Sequence, residues 1–202
     1  YRTIHAGKAH FGAHDTPGAD PLALGFDVNI AGHASGAPGS YLGRHRFMNS
    51  RSDEQFGPAS VWDVPGLEQW HDQDVYLTEV LAEEALAEVD RAHRDRRPFF
   101  LHFAPYAVHT PIMANERLLE RYADLPPREA AYATMIESVD IALGSILDRL
   151  ESLGIAANTI VILSSDNGGL SAHARDGAPH VHNAPLRSGK GSAYEGGTRV
   201  PG

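Results

Sequence analysis

Phe99-Phe100-Leu101-His102-Phe103 follows Pro98 and is apolar at almost every position. Such a run predicts a strand covered on both faces, as central parallel strands are. Upstream of it, Leu77, Leu81, Ala82, Ala85, Leu86 and Val89 recur at three- and four-residue steps, with Glu83, Glu84, Glu88 and Asp90 between them. That spacing predicts an amphipathic helix beginning near Asp74. Its acidic front and basic tail (Arg91, Arg94, Arg96, Arg97) suit the helix dipole, and Pro98 ends it. Downstream, residues 116–122 suit a short helix. After Pro126-Pro127 a long one is expected, with Tyr132, Met135, Ile136, Val139, Leu143, Ile146, Leu147 and Leu150 as its buried stripe and Gly154 as its terminator. Thr159-Ile160-Val161-Ile162-Leu163 is β-branched and continuous, which predicts a second buried strand. Alternating helices and strands give an α/β fold, a mostly parallel central sheet flanked by helices. Residues 11–65 and those from Leu170 onward are rich in Gly, Pro, Ser and His without a hydrophobic period, so loops are expected there.

The chain has 202 residues, room for one large domain or a piece of a larger one. With 42% apolar and 21% charged residues it is neither disordered nor fibrous. Cysteine is absent, which excludes disulfides, thiolate zinc sites and a cysteine nucleophile. Acidic residues outnumber basic ones 26 to 17, and a net charge of -9 repels nucleic acid. The longest apolar runs fall short of the roughly 20 residues of a membrane helix, so no membrane span is expected. Histidine is abundant, at 12 residues, which directs attention to chemistry. The chain starts at Tyr1 and closes in mid-motif at Arg199-Val200-Pro201-Gly202, so both ends are expected to be cut.

In open parallel sheets ligands bind beyond the carboxyl ends of strands. Asp166 and Asn167 follow the predicted strand 159–163 and precede Gly168-Gly169. Carboxylate and amide oxygens side by side suit Ca²⁺ or Mg²⁺, and an Asx turn is the alternative. His109 lies in the loop after the first predicted strand, followed by Thr110-Pro111, as a ring aimed into a cleft or as a backbone-bonded histidine. Lys8 and His10, if extended, leave on the same face and could hold an oxyanion or protonate a leaving group, with an ordinary surface pair as the alternative. Lys190 stands between Gly189 and Gly191, but the spacing of a nucleotide phosphate loop fails. His180 and His182 could clip a metal or simply face solvent. Arg44, His45, Arg46 and Arg51 form a basic group open to a second anion or to solvent. His102 is expected to be a packed or hydrogen-bonded core histidine.

Taken in order, GKAHFG (7–12), FFLHFAPYAVHTP (99–111), TIVILSSDNGG (159–169) and NAPLRSGKGSAYEGGTRVP (183–201) resemble the successive motifs of the type I sulfatases, in the alkaline phosphatase superfamily. The resemblance covers nearly the whole chain. It implies an alkaline-phosphatase-like fold and hydrolysis of a sulfate ester by a formylglycine nucleophile on a divalent cation, normally Ca²⁺, with Mg²⁺ as the alternative. It implies further that Asp166 and Asn167 are metal ligands and that Lys8 contacts the nucleophile and metal-bound oxygens. His10 would assist breakdown of the sulfated intermediate, and His109 and Lys190 would bind sulfate oxygens. The expected partner is a sulfated small molecule or sulfated glycan, and the expected location is periplasmic or extracellular. Three departures stand out. Ala9 occupies a place where the family often has Trp. The C/S-x-P-S/A-R motif that yields formylglycine is absent, as is the early Asp-Asp metal pair. The chain is therefore expected to be the inactive middle of an enzyme, lacking a nucleophile segment and a C-terminal subdomain. A phosphatase or phosphonate monoester hydrolase of the same superfamily, and a non-catalytic domain for sulfated glycans, are the alternatives. Oligomeric state is not readable.

Overall fold

A computed structural model of the chain describes residues 1–49, 60–170 and 183–202. The chain divides into two compact units, Tyr1–Gly154 and Ile155–Gly202.

The first unit is built on a three-stranded, all-parallel sheet in the order β2-β1-β3, where β1 is Arg2–Gly7, β2 is Val28–Ile30 and β3 is Phe99–Ala104. β1 and β2 fall where the sequence offers no apolar run. β1 alternates, with Ile4 and Ala6 buried on one face and Thr3 and His5 on the other, and β2 is too short to display any period. Helix α1, Leu77–Arg94, covers the Ile4 face with Leu77, Val80, Leu81 and Ala85, and the core closes with Tyr41, Phe47, Leu67, Tyr76, Tyr106 and Met135. Arg2 and Glu88 form an ion pair that ties β1 to α1.

β3 is where predicted, but it is not covered on both faces. Leu101 and Phe103 pack toward the core, while Phe100, on the opposite face, is 51% exposed. Only one helical layer lies on this sheet among the described residues, so an apolar run does not here mean two-sided burial. Residues 116–122 form a 3-10 helix.

Helix α2, Pro127–Ser152, starts and stops as expected, and Gly154 follows it in the left-handed conformation at φ 69°. Its buried stripe differs from the predicted one. Met135, Ser138, Ala142, Ile146 and Leu150 face inward, while Ile136 and Leu147 are exposed. The cause is a polar anchor: buried Asn115 takes its amide N–H to Thr134 Oγ1 (3.0 Å) and donates its side-chain amide to Ser138 Oγ (3.1 Å) and Glu79 Oε1 (2.7 Å). That fixes the Thr134–Ser138 side of α2 toward α1. By length and composition α2 could cross a membrane, which the run lengths did not signal, yet its buried stripe packs within this unit.

The second unit corrects a prediction. Residues 159–163 belong to no strand among the described residues, and Ile160 and Ile162 are 90% and 85% exposed. β-Branched residues favour an extended backbone, but a strand also needs neighbours along its edges, and the described residues of this unit supply none. The unit is held by backbone contacts around glycines and by the single-turn helix α3, Glu195–Thr198.

Candidate active site

β1 and β3 run in register to their last residues, Gly7 opposite Ala104, so the loops carrying Lys8 and His109 leave one edge of the sheet. Gly7 ends β1 at φ 104°, and a Cβ there would lie 2.1 Å from the Ala104 carbonyl oxygen. Glycine is required on both counts. Lys8 N–H then donates to that same carbonyl at 2.7 Å. The chain does not continue extended: His10 sits at φ 53°, and its N–H donates to the His33 carbonyl at 3.1 Å. Lys8 and His10 thus belong to a turn rather than to alternate positions of a strand. The exposed His10 ring rests on Gly36, where a Cβ would come within 2.7 Å of its Nδ1.

His109 is held by its neighbours. Its N–H donates to the Tyr106 carbonyl (2.9 Å), and its Nδ1 lies 2.9 Å from the Thr110 carbonyl oxygen, which can only accept. Nδ1 therefore carries a hydrogen. Three buried tyrosines brace the loops of this edge: Tyr41 O–H donates to the His109 carbonyl (2.9 Å), Tyr76 to Met113 (2.9 Å) and Tyr106 to Ala31 (2.8 Å). Burial raises the pKa of all three, so they remain protonated donors. Nothing in their spacing along the sequence announces this bracing role.

His102 is the hydrogen-bonded sheet histidine expected of it, half-buried beside His5. Arg44 pairs with Glu116 and Asp74, and Arg46 with Asp72, so these two arginines are ion-paired surface groups. His180, His182 and Arg51 lie outside the described residues.

In the second unit, Asp166 is exposed and Asn167 half-buried. The Asn167 side-chain amide donates to the Gly168 carbonyl at 3.0 Å, and its Oδ1 is the atom able to accept a cation. Gly168 packs so closely that a Cβ would meet the Gly196 carbonyl oxygen at 1.8 Å, and its N–H donates to Gly197 at 3.0 Å. Lys190 N–H donates to the Gly169 carbonyl at 2.9 Å, bringing the Lys190 backbone to the Asp166–Asn167 loop. Asn183, which the sequence did not single out, bridges both backbone groups of Gly169 and the Ser188 carbonyl. As hard oxygen donors Asp166 and Asn167 fit a Ca²⁺ or Mg²⁺ ion, but only as part of a set, since Ca²⁺ takes about 6–8 oxygens. Among the described residues no group of three or more His, Asp or Glu could hold a metal.

Mouse N-acetylgalactosamine-6-sulfatase is 29% identical over 211 residues, covering all of this chain and 36% of that protein. A sulfatase of Formosa agariphila is 35% identical over 139 residues, 62% of this chain and 24% of the relative. The crystal structure of Ps i-CgsB in complex with k-i-k-neocarrahexaose superposes on the whole chain with a TM-score of 0.79 at 29% identity, covering 43% of that protein. The chain thus spans about a third of the length of the mouse relative, and its fold is that of the alkaline-phosphatase-like sulfatases. The sulfatase family model matches residues 1–202, and the chain belongs to the sulfatase family.

Proposed function

We propose that this chain supplies the anion-holding and cation-holding parts of a sulfuric ester hydrolase acting on a sulfated small molecule or sulfated glycan. The observation that carries the reading is the family match over residues 1–202 together with the loop positions of the residues concerned. Sulfate ester hydrolysis places negative charge on the sulfuryl oxygens and on the leaving oxygen, so fixed cations and proton donors aimed there lower the barrier. In this reading Lys8 contacts the nucleophile and metal-bound oxygens, His109 and Lys190 take the sulfuryl oxygens, one of them near the leaving-group oxygen, and His10, exposed on its turn, assists the breakdown step. Asp166 and Asn167 would hold Ca²⁺, or Mg²⁺, which when bound offsets anionic charge and acidifies an oxygen nucleophile. The nucleophile is proposed to be a formylglycine from a part of the parent protein outside these residues, because the chain has no Cys and no matching Ser motif. The glycan preference takes support from the oligosaccharide in the Ps i-CgsB structure, and a periplasmic or extracellular location from the likeness to bacterial sulfatases.

The test uses the 202-residue chain and the full parent protein side by side. The parent hydrolyses an aryl sulfate in preference to the matching aryl phosphate, and Lys8→Ala lowers its rate by roughly 10²–10³-fold. The isolated chain gives no turnover and binds Ca²⁺ only in the range of about millimolar. Turnover by the isolated chain would refute the assignment of the nucleophile, and a parent that prefers phosphate would refute the sulfatase assignment.

A further inference from the structure

His5 and His102 take no part in the chemistry above, yet their rings stand side by side on the sheet face turned away from α1. β1 and β3 pair at these two residues, and the two Nδ1 atoms are 3.1 Å apart. The second nitrogen of His5, Nε2, lies 2.9 Å from the Gly7 carbonyl oxygen. A carbonyl only accepts, so His5 Nε2 carries the hydrogen and, in a neutral ring, its Nδ1 must accept. The hydrogen between the rings then belongs to His102 Nδ1. The result is a directed chain, His102 N–H to His5 and His5 N–H to Gly7. Burial disfavours charge on either ring: His5 is fully buried, with its pKa pulled down to about 4, and His102 is shifted the same way.

The chain ends on the residue before Lys8. The His5 ring also supports the loop after β2, where a Cβ on Gly32 would lie 2.6 Å from His5 Cδ2. Gly32 is also clamped by Asn29, through bonds of 3.0 and 2.8 Å, and the neighbouring His33 carbonyl receives His10 N–H. Phe11 and Phe26 close over His5, each with ring centroids 5.4 Å away. Phenylalanine would fill this enclosure equally well. What histidine adds is the pair of hydrogen bonds, and a buried polar ring is tolerated because both its nitrogens are satisfied.

We propose that His5 and His102 are positioning residues for the turn that carries Lys8 and His10, a neutral imidazole relay that fixes the Gly7 carbonyl and the loop contact at His33. Its functional meaning rests on the reading of Lys8 as a contact for anionic oxygens and of His10 as a proton-handling group, whereas the relay itself does not. The 202-residue chain labelled with ¹⁵N-histidine tests it by long-range proton–nitrogen correlation, amide exchange and titration with sodium sulfate. The expected result is His5 protonated on Nε2 and His102 on Nδ1, both neutral at pH 7. His5→Phe speeds exchange of the Lys8 amide and weakens sulfate binding by about tenfold, the scale of one lost hydrogen bond. His5→Gln, whose terminal amide can reach the Gly7 carbonyl, restores most of both. If His5→Phe does not fold, His102→Phe at the half-buried position removes only the ring-to-ring bond, and the proposal then requires His5 to keep its hydrogen on Nε2, held by the Gly7 carbonyl, while the Lys8 amide exchanges faster. His5 protonated on Nδ1, either ring titrating near 6.5, or a folded His5→Phe with unchanged Lys8 exchange would overturn the relay. An unsubstituted 202-residue chain that binds no sulfate overturns the oxyanion reading, while tautomers and exchange still decide the positioning.

Discussion

His33 is enclosed beside Tyr106, with ring centroids 6.1 Å apart, and its buried Nε2 meets no partner among the described residues. Burial pulls its pKa down to about 4, as it does for His5. In the unfolded chain both rings titrate near 6.5. Between those values the unfolded state binds more protons than the folded one, so the stability these rings contribute is complete above about pH 6.5 and is lost as pH falls toward 4. Each such proton is worth about 1.4 kcal/mol per pH unit over that window. Urea melts at pH 7, 6, 5 and 4.5 should show a falling midpoint, and His33→Phe should flatten the fall. An unchanged midpoint across this range would mean that neither ring is shielded. A second prediction at this scale concerns Gly36. The His10 ring lies where a Cβ on Gly36 would intrude at 2.7 Å, so Gly36→Ala should displace the ring and lower the parent protein's turnover several-fold, with the melting midpoint moving little.

α1 buries Leu81 and Ala85 fully against the sheet, while Ile160 and Ile162 stand outside any strand at 90% and 85% exposure. Leu81→Ala should therefore cost about 2–5 kcal/mol in a denaturant melt. Ile160→Thr combined with Ile162→Thr should change stability by under about 0.5 kcal/mol and reduce self-association in light scattering, because an unpaired apolar edge invites strand pairing. These contrasts mark how far the sequence was legible. α1 was readable because one face is apolar and the other acidic, and α2 because Pro127 and Gly154 bracket it. The face of α2 was not, since Asn115, distant in sequence, decides that Ser138 rather than Ile136 turns inward. An apolar run such as 159–163 reports preference for extended backbone and is silent about whether neighbours exist to pair with it. Among the candidate residues, His109, Asp166 and Asn167 stood out because they sit in loops after apolar stretches, and Lys8 because it alternates with His10 between glycines. His5, Tyr41 and Tyr106 act through contacts made only on folding, and no spacing along the chain marks them.

The buried apolar residues are divided unequally over the molecule. Every hydrophobic side chain in the core, from Ile4 to Met135, belongs to the Tyr1–Gly154 unit. Among the described residues of Ile155–Gly202 the fully buried positions are glycines, Gly168, Gly189, Gly196 and Gly197, and close backbone packing takes the place of a core. Segments this short rarely fold alone without disulfides or a metal, and with no cysteine in the sequence the first of these is excluded. Residues 1–154 expressed alone should consequently show helical circular dichroism and one cooperative melt within a few degrees of the whole chain. Residues 155–202 alone should give the spectrum of an unfolded peptide, and Ca²⁺ at about millimolar concentration is the addition with a physical reason to order them, through Asp166 and Asn167. Loss of the cooperative melt in 1–154 would show that the core as drawn is not self-sufficient, and a folded 155–202 peptide without metal would show that its glycine-mediated backbone contacts are enough.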